Sequence, residues 1–182
     1  MKAIPLAVLL LPITLAGCTA MLPYDRRSEQ AAITEAENIS REDILFTSRC
    51  EFALVPNGLG TGIFYQGVCL ASKNKLYLRR IDRTTGTSTT FRVYSAGQLL
   101  SASIFSGVFS DQLQLRLPQY VIALHMKRDG MQGFAWEIDS SATRKLFQIL
   151  QSQGITAVPS LTRIASLPTT GTRTIYVPIP MP

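Results

Sequence analysis

Asp111-Gln112-Leu113-Gln114-Leu115-Arg116-Leu117 is the stretch that decides the fold. Apolar and polar residues alternate along it without a fault, the two-residue period of a strand with one face on a core. Leu113, Leu115 and Leu117 are expected inward; Gln112, Gln114 and Arg116 are expected outward. Upstream, residues 52–55, 63–71, 75–81, 89–95 and 99–105 read as further strands, rich in β-branched and aromatic side chains. They are separated by turn chemistry at Pro56-Asn57-Gly58, Ser72-Lys73-Asn74 and 82–87. Downstream, 120–127 ends at Arg128-Asp129-Gly130, and Phe134, Trp136 and Ile138 alternate with Ala135 and Glu137. The period then lengthens. Ser140 or Ser141 can cap a helix whose apolar face is Ala142, Leu146, Phe147, Ile149 and Leu150, with Gly154 at its stop. Such a face must bury against something, and the open end of a barrel or sandwich is the surface at hand. Residues 51–154 are therefore expected to form a mainly β, β-rich α+β domain. It would be an antiparallel barrel or sandwich of about seven strands closed by one C-terminal helix.

The flanks differ from this centre. Residues 28–45 read as an N-terminal helical spacer, with Ser40 and Asp43 a weak capping box that would divide it into two short helices. Its acidic character suits a face lying on the domain better than one lying on anionic lipid, where Lys or Arg would be wanted. The segment 155–182 carries five of the ten prolines and no helical period, so it reads as an unfolded or extended tail. Within it, Ile175, Tyr176 and Val177 offer a second reading for 174–179, as an added edge strand or a docking segment.

Met1-Lys2 is followed by an apolar run to Leu15 with no further charge. A short basic start and an apolar core are the layout of a secretory signal, too short for a spanning helix of about 20 residues. Leu15-Ala16-Gly17-Cys18 follows at once and resembles the lipobox of bacterial lipoproteins. That resemblance implies cleavage after Gly17 and a diacylglycerol thioether and acyl chain (palmitate in kind) on Cys18. Residues 18–50 read as a short tether, to about Arg27, and the acidic helical spacer. Thr19 in the place of an inner-membrane-retaining Asp implies the periplasmic face of the outer membrane. Stable anchoring by two or three acyl chains follows from about 0.8 kcal/mol per buried methylene.

Cys50 and Cys69 remain, in a compartment that tolerates disulfides, and are expected to pair; closing that loop would contribute about 3 kcal/mol. Charge is segregated. Residues 18–51 hold four basic and seven acidic side chains, a net −3, and residues 52–182 hold thirteen and five, a net +8. For an exported chain this excess points away from nucleic acid and toward a membrane surface.

The run Gln66-Gly67-Val68-Cys69-Leu70-Ala71-Ser72 with Lys75-Leu76-Tyr77-Leu78-Arg79, and the closing strand and helix, resemble the bacterial pleckstrin-homology-like, GRAM-like fold. The resemblance implies a barrel-like sandwich capped by a helix, and basic residues of an early hairpin that hold anionic head groups. Lys73, Lys75 and Arg79 fall in a comparable place, and Arg80 and Arg83 cluster with them on the same predicted hairpin as candidates for an anionic surface.

Catalytic chemistry finds little support. His125 stands alone on a strand face shared with Ala123 and Lys127, and no Gly-x-Ser-x-Gly elbow is present. Ser72-x-x-Lys75 lies in a turn, Gly58–Gly62 lacks the Lys of a phosphate loop, and Asp82, Asp111, Asp129, Glu137 and Asp139 are scattered. One His and three Cys leave no metal site, and no cofactor is expected. The expected function is a lipid-anchored, non-enzymatic interaction or scaffold module of the cell envelope, binding a protein partner or an anionic component. The alternative is a carrier of lipid or apolar ligand in the barrel interior, which Phe134, Trp136, Leu113 and Leu115 would fill.

Overall fold

The computed structural model describes residues 27–57, 59–82, 84–85, 87–108, 110–129 and 136–167. Cys18, Arg83, Phe134, the side chain of Trp136 and the segment 174–179 lie outside the described residues. In chain order the elements are α1 (Arg27–Ala36), a 3-10 turn (Arg41–Asp43), β1 (Ile44–Pro56), β2 (Thr61–Gly62), β3 (Tyr65–Ser72), β4 (Lys75–Ile81) and β5 (Ser88–Ser95). A second 3-10 turn (Ala96–Gln98) leads to β6 (Ser101–Ser106), β7 (Asp111–Arg116), β8 (Tyr120–Asp129) and β9 (Trp136–Ile138). The helix α2 (Ser140–Ser152) and two short strands, β10 (Thr156–Ala157) and β11 (Ala165–Ser166), complete it.

Nine strands form one sheet in the order β10-β6-β7-β8-β1-β3-β4-β5, with β9 paired to β8. Pairing is antiparallel except that β10 runs parallel to β6. The domain is β-rich as expected, but the sheet is open and mixed rather than a closed barrel. Its arms curl toward each other: the Tyr120 hydroxyl on β8 donates to the Tyr94 hydroxyl on β5 at 3.2 Å, across strands that are not neighbours. Burial and the facing hydroxyl together push Tyr94 far above the usual tyrosine range.

The strand period assigns the faces. Phe46, Cys50 and Phe52 of β1, Leu76 and Leu78 of β4, Leu113 and Leu115 of β7, and Ile122, Leu124 and Met126 of β8 fill the concave side. Leu146 and Leu150 of α2 close it, as the apolar face of that helix requires. Gly154, at φ 88°, ends the helix region in the left-handed conformation that glycine allows. The N-cap is Asp139 rather than Ser140 or Ser141: its carboxylate accepts from Ala142 N–H at 2.9 Å.

On the convex side, Ile33 of α1 packs on Val68, Leu70, Tyr77 and Ile81. The spacer is shorter than its composition implied. Asn38 takes φ 51°, which breaks the helix, and β1 starts at Ile44 inside the stretch read as helical. Ser40 bonds the Glu42 side chain instead of capping a second helix, leaving only the 3-10 turn.

The larger correction concerns the chain after α2. Residues 155–167 form an ordered strap on the convex face, and Gln112 and Gln114, expected in solvent, are fully buried beneath it. Arg116 Nη2 donates to Pro159 O at 2.8 Å. Gln114 exchanges bonds with Leu161 N–H (2.9 Å) and Thr162 O (3.0 Å), and Gln112 with Ile164 N–H (3.0 Å) and Ile164 O (2.9 Å). Successive outward residues of β7 thus grip successive pieces of strap main chain. At its ends the strap pairs with β6 through β10 and with β2 through β11.

Candidate functional site

Strand β1 has β3 beside it along residues 44–52, but β8 beside it only along 49–56. At the Arg49–Lys127 pair, β8 leaves β1 and continues with β9 as its partner. Asp139 then turns the chain into α2, its N–H donating to Met126 O at 2.8 Å. The parting opens a cleft of about 580 Å³ between residues 44–48 of β1 on one side and Lys127, Arg128, Asp139 and Lys145 on the other. Among the described residues, no strand pairs with the β8-facing edge of 44–48. That edge carries main-chain donors and acceptors in strand geometry, the group that an added strand would satisfy.

The cleft is rimmed by charge. Lys127 Nζ stands 2.9 Å from Glu51, Arg128 Nη2 donates to Glu137 at 3.2 Å, and Lys145 is exposed on α2. Asp139 serves its helix: Ser141 Oγ donates to its carboxylate at 2.6 Å beside the Ala142 N–H bond. Partial burial raises its pKa, but these hydrogen bonds and the nearby Arg128 outweigh it, so the carboxyl lies below its usual range. Leu45 adds an exposed apolar side chain to the cleft wall. The strand-edge reading of 44–48 was hidden in the sequence, because Ile44 and Leu45 continue the apolar pattern of the helix before them.

The residues named from the sequence do not converge. Lys73 sits in the β3–β4 turn, paired to Asp43 at 2.7 Å, and Lys75 is exposed at the start of β4. Arg79 is buried on the convex face beneath the α1 segment, ion-paired to Glu37, and bonds Thr90 Oγ1 (2.8 Å) and Ser88 O (2.6 Å). Arg80 points to the other face, its guanidinium 4.9 Å from the Tyr65 ring centroid. Period two explains the split: neighbours on a strand cannot share a face. Arg83 lies outside the described residues.

Cys50 and Cys69 are both buried free thiols, which corrects the expected bridge. The register places Cys50 opposite Gly67 and Cys69 opposite Ser48, so the two are diagonal neighbours. The two thiols are close enough for Cys69 to share a hydrogen bond with Cys50, but no S–S bond joins them. Burial, then the hydrogen bond and charge of Cys69, raise the Cys50 pKa well above normal, so it remains an inert thiol.

His125 is buried on the convex face with both ring nitrogens engaged, by Gln112 and by Asp111 O. Among the described residues, no three His, Cys, Asp or Glu side chains gather in a way that could hold a metal ion, and no helix is long and apolar enough to cross a membrane.

No family model matches the chain, and no curated protein does. Among solved structures, the hSac2 domain from human phosphoinositide phosphatase Sac2 aligns over 86% of this chain and 96% of that one. The TM-score is 0.42 and the identity 11%, a likeness that establishes neither family nor activity.

Proposed function

We propose that this chain is a lipid-anchored, non-enzymatic interaction module of the cell envelope, and that it takes an extended segment of a partner protein along the open edge of β1. The observation that carries this reading is the parting of β8 from β1 at Arg49–Lys127, which leaves strand-forming main chain beside a cleft of about 580 Å³. The occupant would complete the main-chain bonding of residues 44–48, rest apolar side chains on Leu45 and face Lys145 with acidic ones. Acylated Cys18 would hold the module at the membrane. The carrier reading is less well supported: Leu113, Leu115, Leu124, Met126 and Leu146, all fully buried, fill the interior that a ligand would need.

A photo-crosslinking amino acid at Leu45, introduced in cells, tests the proposal. It is expected to capture one protein species that is not captured from Thr85, which is exposed in the turn between β4 and β5. Equal capture from both positions, or none from Leu45, would overturn it.

A further inference from the structure

The Gln112 amide, at the midpoint of the strap's attachment, has every hydrogen-bonding position in use. Its Nε2 donates to Ile164 O at 2.9 Å and to His125 Nε2 at 3.0 Å. Its Oε1 accepts from Ile164 N–H at 3.0 Å and from Gln114 Nε2 at 3.1 Å. With both amide hydrogens committed, His125 Nε2 must be the acceptor, which puts the ring proton on Nδ1, facing Asp111 O at 3.3 Å. The ring is 6% exposed and packs on Phe64 with centroids 5.5 Å apart.

We propose that protonation of His125 at Nε2 unlatches the strap from β7. A proton there would set a donor against the Gln112 donor. Rotating the Gln112 amide to relieve this would turn its Nε2 toward Ile164 N–H and its Oε1 toward Ile164 O, losing both bonds to the strap. The charged groups around the ring come from three elements. Lys127 lies on its own strand, and Glu51, opposite in register on β1, is paired to Lys127. Arg163 lies on the strap. From β7 only the Asp111 carbonyl faces the ring, its carboxylate accepting from Arg144 at 3.0 Å. Burial above all, aided by Lys127 and Arg163 and opposed by Asp111 O and Glu51, holds the ring's pKa below 6.5 while the strap is closed.

The direction follows from linkage. A closed strap keeps the ring neutral, while an open strap lets it titrate near its ordinary value. Opening is therefore independent of pH above that value and rises as pH falls below it, until the closed form also protonates. Between about pH 7.5 and about pH 5.0 the opening equilibrium would increase by up to about 30-fold. This device does not depend on the β1 cleft.

Amide hydrogen exchange on the full chain, corrected for intrinsic rates, reads it at Leu161 and Ile164, whose N–H groups bond Gln114 and Gln112. Exchange at both is expected to accelerate on acidification in the wild type and to stay flat in His125→Phe, which retains a ring against Phe64. Three results would overturn the proposal: no acceleration in the wild type, the same acceleration in H125F, or equal acceleration at β3 and β4 amides, which would mean global unfolding. Should H125F fail to fold, the wild-type rise must level off at the pH where the His125 ring resonances titrate; levelling elsewhere would also overturn it.

Discussion

Gly67 sits where the sheet leaves no room for a side chain. A Cβ there would lie 2.0 Å from Arg79 O and 2.7 Å from Phe52 Cε1, and the first of these is main chain that cannot turn aside. Gly67→Ala is therefore expected to destabilise the domain by about 3 kcal/mol, read as a lower urea midpoint. On the convex side, Arg79 shows how one side chain can look like a surface cation and behave as structure. It lies opposite Val68 on β3 and Thr90 on β5, and its charge is matched by Glu37 from the chain after α1. A guanidinium needs that many acceptors to be buried, because an unpaired charge in such a place costs several kcal/mol.

At the scale of elements, the strap is held by amide side chains rather than by an apolar stripe. Replacing Gln112 or Gln114 with Leu leaves strap N–H and C=O groups without partners and should loosen the segment by about 1–3 kcal/mol per residue. Faster trypsin cleavage after Arg163, with α2 and the sheet intact, is the expected readout. The same feature explains what the sequence concealed. A two-residue period separates apolar from polar positions, but it cannot tell a glutamine facing water from one facing main chain. The strap itself has no apolar rhythm: Ile155 and Ile164 bury their side chains, but its hold on β7 runs through its backbone. By contrast, β7, α2 with its Gly154 stop, and the shared face of Ala123, His125 and Lys127 were all legible, since each rests on side-chain period alone. The cleft was not legible. It depends on where two strands separated by most of the domain cease to pair, and no local pattern records that.

For the whole molecule, α1 lies on one face of the sheet and α2 on the other. With the anchor proposed, Cys18→Ala should yield a protein that lacks the mass of the acyl groups and leaves the detergent phase, while its thermal midpoint stays unchanged. Unaltered mass and partitioning would remove the anchor from the account. The topology also bears on time. β1 is the central strand, yet one neighbour, β8, is made long after it: Arg49 waits for Lys127, and Pro56 for Tyr120. Chains ruled by such distant pairings fold in milliseconds to seconds rather than microseconds. On the proposed anchoring, the chain would have to cross a membrane as an open thread. The strand that would commit it to folding stays half-partnered until most of the domain has been synthesised.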